Sequence, residues 1–166
     1  MGHLEAAYDS GYDINVAAPL LVRALVLSGR ADDAVRRLSG MPASVATGTA
    51  AAVEVALDFG TLALERGAMV EAIRWLRIAV ERAPDRAEAH EKLGLAIFLR
   101  GDPQTALPHL ERARSLDPTS ASAHLNLAVL YAELGKFAEA RALATEALRL
   151  DPAEPRAAAL LKALPR

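Results

Sequence analysis

Two consecutive segments, residues 87–120 and 121–154, read AEAHEKLGLAIFLRGDPQTALPHLERARSLDPTS and ASAHLNLAVLYAELGKFAEARALATEALRLDPAE. Both carry the tripeptide Leu-Asp-Pro, which begins at residue 116 in the first and at residue 150 in the second, an interval of 34 residues. The same interval separates three further columns of small residues: Gly67, Gly101 and Gly135; Ala72, Ala106 and Ala140; Ala79, Ala113 and Ala147. A fixed period of this length predicts stacked copies of one helical hairpin.

The composition favours closely packed helices over a β-sheet. Hydrophobic residues make up 52% of the 166 residues and aromatic residues only 4%, so the core must consist mainly of Ala, Leu and Val. A net charge of −2 argues against a nucleic-acid partner, because such surfaces carry a basic excess. Charged residues and Pro interrupt the longest apolar stretches, which predicts a soluble protein without direct membrane insertion. The 16 Arg against 3 Lys indicate a GC-rich bacterial genome.

The repeated motif carries a family resemblance. Residues 87–120 contain His90-x2-Leu93-Gly94-x2-Ile97, Ala106-x3-Leu110 and Pro118. The preceding segment gives Ala56-x2-Phe59-Gly60-x2-Ala63, Ala72-x3-Leu76 and Pro84, and the following one gives His124-x2-Leu127-Ala128-x2-Tyr131, Ala140-x3-Ala144 and Pro152. This pattern resembles the tetratricopeptide repeat (TPR) family over residues 53 to 154, with departures at the first position, Pro103 and Ala144. The resemblance implies an all-α right-handed superhelix, a solenoid in which the first helix of each pair, helix A, lines a concave protein-binding groove.

The repeat register predicts about four helix pairs followed by a C-terminal capping helix. Gly29, Ala34 and Leu38 reproduce part of the motif, but Gly29 lies 38 residues before Gly67, so the first pair is degenerate. The predicted parts are an N-terminal tail at 1–14, a degenerate TPR-like helix pair with its linker at 15–48, three regular TPR units within 49–154 (53–86, 87–120 and 121–154), and a capping helix at 155–166. Ala157, Leu160, Leu161 and Leu164 form the apolar face of the capping helix.

Helix boundaries follow from three local signals. Asp102 is placed to cap a helix whose first residue is Pro103. Asp85 and Glu88 have the spacing of a capping box. Pro108 falls inside the second helix of its unit, helix B, where its missing N–H predicts a kink.

Catalytic, cofactor and metal sites are not predicted. The chain has no Cys, and its four His residues include no pair at the i, i+4 spacing of a helical zinc site. His90 and His124 occupy equivalent repeat positions, where they are expected to be packing residues that could titrate as a stacked pair. No Gly-rich phosphate loop, nucleophile elbow or Ser/His/Asp arrangement is present, so the protein is not expected to be an enzyme.

An apolar stripe along the A helices is the candidate binding site. Residues 93–99 contain no polar side chain, and a surface helix that is apolar all round is unusual. Either a neighbouring segment of this chain covers the run, or it is an exposed patch that marks a binding site, which is the favoured interpretation. The predicted groove residues are Leu57, Thr61, Leu64, Glu88, Glu91, Leu95, Phe98, Leu99, Leu125, Asn126 and Val129. Some TPR domains bind acidic chaperone tails with Lys, Asn and Arg, but only Lys92 and Asn126 are suitably placed here. The expected ligand is therefore an apolar helical or extended segment with basic flanks.

Three functions are compatible with these features. The leading one is a scaffold or adaptor that binds another protein or a peptide segment in the groove. The chain could instead be an accessory TPR domain of a larger enzyme or membrane protein, or a self-assembling structural scaffold that forms homo-oligomers. The expected compartment is the cytoplasm, with the periplasm as the alternative.

Overall fold

The computed structural model describes residues 50–165 and eight positions nearer the N-terminus: Leu20, Leu21, Ala24, Leu25, Ser28, Arg30, Asp33 and Arg36. The predicted N-terminal tail at 1–14 and the linker within 15–48 lie outside the described residues. Of the degenerate first pair, Leu20, Leu21, Ala24 and Leu25 are helical in the predicted helix A, and Asp33 and Arg36 are helical in the predicted helix B.

Residues 50–165 form seven helices and contain no strand. The helices are α1 (Ala50–Glu65), α2 (Met69–Arg82), α3 (Ala87–Leu99), α4 (Pro103–Leu116), α5 (Ala121–Glu133), α6 (Phe137–Leu150) and α7 (Pro155–Ala163). The chain divides into two compact units, residues 1–84 and 85–166. These helices confirm the predicted all-α fold class.

Antiparallel helix pairs build each unit. In the first unit α1 packs against α2, and Phe59 meets Trp75 edge to face with ring centroids 5.0 Å apart. In the second unit α3 packs against α4 and α5 against α6, while α4 contacts α5. The last helix, α7, packs on α6 and α5 and so covers the end of the second unit.

One turn geometry joins helix A to helix B in every pair. Gly67, Gly101 and Gly135 adopt φ of 73°, 93° and 73°, values that favour glycine over residues with a Cβ. The N–H after each glycine donates to a carbonyl five residues earlier, as from Lys136 to Tyr131 at 2.8 Å. Arg30 donates to Leu25 in the same way at 2.8 Å, so the described part of the degenerate pair uses the repeat's turn.

Close approach between paired helices depends on complementary side-chain volumes. A Cβ on Gly94 would lie 2.7 Å from Leu110 Cγ, and a Cβ on Gly60 would lie 2.5 Å from Leu76 Cγ. In the α5–α6 pair the glycine position is Ala128 and the leucine position is Ala144, and both are fully buried. Relative to Gly94 and Leu110, one position gains a carbon and the other loses three, so the two changes compensate for each other in part. This exchange accounts for Ala144, which departs from the repeat pattern.

The helix-boundary predictions had different outcomes. Asp102 caps α4 as predicted, because its carboxylate accepts from the Thr105 N–H at 3.1 Å and Pro103 begins the helix. The capping-box prediction for Asp85 was wrong. Arg86 is the N-cap of α3, and Asp85 instead accepts a hydrogen bond from Arg112 at 2.6 Å. Pro108 lies within α4, which continues through it to Leu116, with the proline exposed on the surface.

We expect Gly94→Ala to lower the free energy of unfolding by about 1–3 kcal/mol, because the new methyl group clashes with Leu110. Leu110→Ala alone should cost about 2–5 kcal/mol by leaving a cavity. The double variant reproduces the Ala–Ala pair of α5 and α6, so it should be more stable than the sum of the single losses predicts. Urea denaturation of the four proteins measures this coupling.

Gly101→Ala combined with Leu110→Ala is the control for this cycle. A Cβ on Gly101 would meet no atom within 4 Å, although its positive φ disfavours alanine. The loss of unfolding free energy caused by Gly101→Ala should therefore add to the loss caused by Leu110→Ala. Additive losses in the Gly94 cycle would contradict the volume argument.

A second prediction concerns the Asp102 cap and pH. Hydrogen bonding from Thr105, through its side chain and its backbone N–H, holds the pKa of Asp102 below its usual range. The carboxylate therefore stabilises the fold above its unfolded pKa, about 3.9, and this contribution is lost as pH falls through the lower folded pKa. Asp102→Asn keeps a hydrogen-bond acceptor without the charge. The difference in free energy of unfolding between the unmodified protein and this variant, the stability gap, should therefore decrease as the pH falls from 7 to 3.

Chemical denaturation at several pH values would measure that gap. Asp58→Asn, which removes an exposed acid from α1 rather than a cap, is the matched control and should show a smaller change of the gap with pH. A gap for Asp102→Asn that stays constant down to pH 3 would contradict the prediction.

Candidate binding surface

Helices α3 and α5 lie side by side in the second unit, and a hydrogen bond joins two of the predicted groove residues. Asn126 Nδ2 on α5 donates to Glu91 Oε1 on α3 at 2.9 Å. Both helices are the A helices of their pairs, each followed by a helix B that covers its other face. The sides of α3 and α5 away from their B helices form one surface, on which Glu91 and Asn126 meet.

An apolar patch, defined as Leu95, Phe98, Leu99 and Val129, lies on this surface. Leu93, Ala96 and Ile97 supply the buried face of α3. Leu95 and Phe98 are half-buried, whereas Leu99 is 53% exposed and Val129 is 36% exposed. Leu95 and Val129 occupy equivalent positions of adjacent repeats, on the two neighbouring A helices α3 and α5. The continuous apolar run of α3 thus has one side in the core and the other toward solvent.

Two predicted groove residues are core residues instead. Leu57 is 3% exposed and Leu125 is 1% exposed, so neither side chain offers surface to a partner. Leu125 packs in a cluster with Ala147 of α6 and Ala157 of α7. The last helix covers it, an effect that the local sequence around Leu125 does not show.

The remaining predicted positions differ in exposure and unit. Thr61 and Leu64 are half-buried on α1 and belong to the first unit. Glu88, on the second unit, is exposed and forms ion pairs with Lys92 at 3.7 Å and with Arg86 at 3.4 Å. Exposed pairs of this kind contribute little to stability.

The polar end of the surface extends onto α7 through Arg156. Its Nε and Nη2 donate to the two carboxylate oxygens of Glu154, each at 3.1 Å. This pairing raises the pKa of Arg156 and lowers that of Glu154, and the nearby charge of Glu91 also raises the pKa of Arg156. Sequence reasoning missed Arg156. The 34-residue register that links Glu88 to Ser122 also reaches Arg156 and could have identified it.

His90 and His124 are packing residues as predicted, with 8% and 7% of their surface exposed, but they do not form a stacked pair. His90 does not stack with His124 but meets His109 of α4, with 3.3 Å between the two Nδ1 atoms. His124 Nδ1 donates to the Ser120 carbonyl at 2.9 Å. Within the described part of the chain, His, Asp and Glu side chains nowhere gather in a group of three that could ligate a metal ion. No helix there is both long and apolar enough to cross a bilayer.

Sequence comparisons point to one family. Two profiles described as Tetratricopeptide repeat match residues 57–121 and 98–164. Together they cover residues 57–164, which include most of the first predicted regular unit, all of the next two and the last helix. A search of curated proteins found no match.

Solved structures show the same fold. A crystal structure of MamA is 26% identical, covers 84% of this chain and 80% of its own, and superposes with a TM-score of 0.73. The first TPR domain of Spaghetti (RPAP3), bound to the HSP90 peptide SRMEEVD, is 20% identical over 66% of this chain and 87% of its own, with a TM-score of 0.64. That likeness concerns the fold alone.

A third similar structure belongs to a larger protein. The O-GlcNAc transferase of Thermobaculum terrenum is 31% identical over 68% of this chain, with a TM-score of 0.65, but the match covers only 22% of the transferase. The repeated motif, the paired helices, the matching profiles and the similar structures agree. The chain belongs to the tetratricopeptide repeat family.

Proposed function

We propose that this protein is an interaction scaffold that binds an apolar helical or extended segment of a partner protein on the second unit. The observation that carries the proposal is the apolar patch, where Leu99 and Val129 leave 53% and 36% of their surface exposed. Contiguous exposed apolar surface commonly marks an interaction site.

The spacing of the patch suits a helix or an extended strand. Leu95, Phe98 and Leu99 stand at i, i+3 and i+4 on α3, so they form one ridge, and Val129 lies on the neighbouring helix. A partner side chain that packs between this ridge and Val129 is shielded from solvent on several sides. Burial of each Leu-sized or Phe-sized anchor contributes roughly 1.5–3 kcal/mol before ordering costs. Two or three anchors give roughly 3–9 kcal/mol before these costs, whereas a micromolar Kd requires about 8 kcal/mol net, so backbone and polar contacts must add to the apolar ones.

The charge on the surface separates this proposal from the peptide complex described above. SRMEEVD, the peptide bound by the Spaghetti domain, has three carboxylate side chains. Glu91 and Glu88 lie on α3 here, so an acidic peptide would meet like charge. The partner of this protein is expected to be apolar with basic flanks instead.

The transferase comparison favours a second candidate, an accessory domain of a larger protein. A chain like this one forms about a fifth of that enzyme. In such a protein the apolar patch would contact a neighbouring domain of the same polypeptide. An antibody against the chain would detect a larger endogenous polypeptide in cell extracts if this candidate is correct.

The proposed function predicts selection of apolar peptides by the patch. A displayed library of random 16-residue peptides is selected on the unmodified chain and on a Leu99→Glu, Val129→Glu variant. Peptides enriched on the unmodified chain should bind the variant at least tenfold more weakly in fluorescence anisotropy, because carboxylates replace two apolar contacts. Both substitutions are at exposed positions, so circular dichroism should show unchanged helix content.

Val70→Glu with Phe137→Glu is the matched control. These residues are 69% and 41% exposed and lie outside the patch. The control variant should bind the enriched peptides like the unmodified chain. Equal loss of binding in both variants, or no enriched peptide at all, would contradict the proposal.

Light scattering at two concentrations tests for homo-oligomers, since the mean mass of a self-assembling scaffold increases with concentration.

A further inference from the structure

Glu91 departs from the repeat at a position that the other units fill with a buried leucine. The equivalent residues at the 34-residue interval are Leu57 and Leu125, which are 3% and 1% exposed. Glu91 is half-buried, and it places a carboxylate where the other two units have a buried apolar side chain. Breaks in an otherwise consistent local pattern tend to mark functional positions, because they cost stability without improving the fold.

The surroundings hold the Glu91 carboxylate in place but do not neutralise it. Asn126, which is 8% exposed, donates to Oε1. No described residue donates a hydrogen bond to Oε2. The nearby Arg156 side chain donates both of its hydrogen bonds to the Glu154 carboxylate. Among the described residues no cation forms an ion pair with Glu91, because Arg156 pairs with Glu154 and Lys92 pairs with Glu88.

This charge borders the apolar patch. Glu91 precedes Leu95 by four residues on α3, and Asn126 precedes Val129 by three on α5, so each polar residue lies one helical turn from its apolar neighbour. A bound segment whose apolar anchor packs on Leu95 and Val129 therefore places its next turn over Glu91. The side chain that the bound segment places over Glu91 decides the outcome. A basic side chain pairs with the Glu91 carboxylate, and any other removes water from it without providing a partner.

We propose that Glu91 selects a basic residue, Arg or Lys, in the bound segment, one helical turn from the apolar side chain that packs on Leu95 and Val129. The inference rests on the proposed function and adds the chemical class of the partner. Arg and Lys suit this position because their aliphatic stems pack along apolar surface while the charged group reaches the carboxylate. An acidic or neutral residue would leave the half-buried carboxylate unpaired, which disfavours binding.

The test uses the same peptide library on three proteins: the unmodified chain, Glu91→Leu and Glu91→Gln. Glu91→Leu installs the residue found at Leu57 and Leu125, so it should fold, and Glu91→Gln keeps the shape without the charge. The unmodified chain should enrich Arg or Lys three or four positions from a Leu or Phe anchor. Both variants should still enrich apolar anchors but lose the basic preference.

Affinities of synthetic peptides make the comparison quantitative. Replacing the basic residue of an enriched peptide by Gln should weaken its binding to the unmodified chain roughly tenfold and leave its binding to Glu91→Leu nearly unchanged. Glu111→Leu is the matched control, because the Glu111 carboxylate also accepts a side-chain hydrogen bond, from Tyr131 at 2.8 Å, but lies on α4. It should retain the basic preference.

The outcomes separate this inference from the proposed function. Apolar peptides enriched without a basic residue would overturn the role of Glu91 and leave the binding surface standing. A basic preference that persists in both Glu91 variants would overturn it as well, since another acid would then be responsible. Failure to enrich any peptide on the unmodified chain would overturn both proposals.

Discussion

The close approach of helix A to helix B is the contact on which the rest of this structure depends. It requires a glycine to face a leucine, as Gly94 faces Leu110, and in the α5–α6 pair two buried alanines, Ala128 and Ala144, take these two positions. At this distance the short side chains of an aromatic-poor sequence suffice to fill the core. The positive-φ glycine at each turn, such as Gly101, lets the chain reverse directly into the next helix.

The paired arrangement also decides which surface stays available. In the second unit helix B covers one side of each helix A, and α7 covers the end of the last pair, where it buries Leu125. The opposite side of α3 and α5 keeps the apolar patch exposed. Glu91 adds a charge at a position that is otherwise leucine, and Asn126 holds it by a hydrogen bond. The proposed binding surface therefore combines apolar contact with selection by charge.

The sequence alone determined the repeat, the fold class, the turn glycines and the Asp102 cap. These features depend on interactions within one helical hairpin. Because each unit has the same contacts between its two helices, the same residue types recur every 34 residues and are visible in the sequence. The apolar run of α3 was equally visible, since it requires only a count of side chains. The exchange of Gly94 and Leu110 for Ala128 and Ala144 was visible in the sequence, but its steric reason is the close approach of Gly94 to Leu110, which only the structure shows.

Only the tertiary structure decided the pairing and burial of particular side chains. Leu125 matches the groove pattern but is buried, because α7 returns over it from more than 25 residues along the chain. His90 meets His109 rather than His124, and Asp85 pairs with Arg112 rather than capping α3. Contacts between different helices depend on how the helices pack, and a one-dimensional register records equivalence between positions rather than proximity in space.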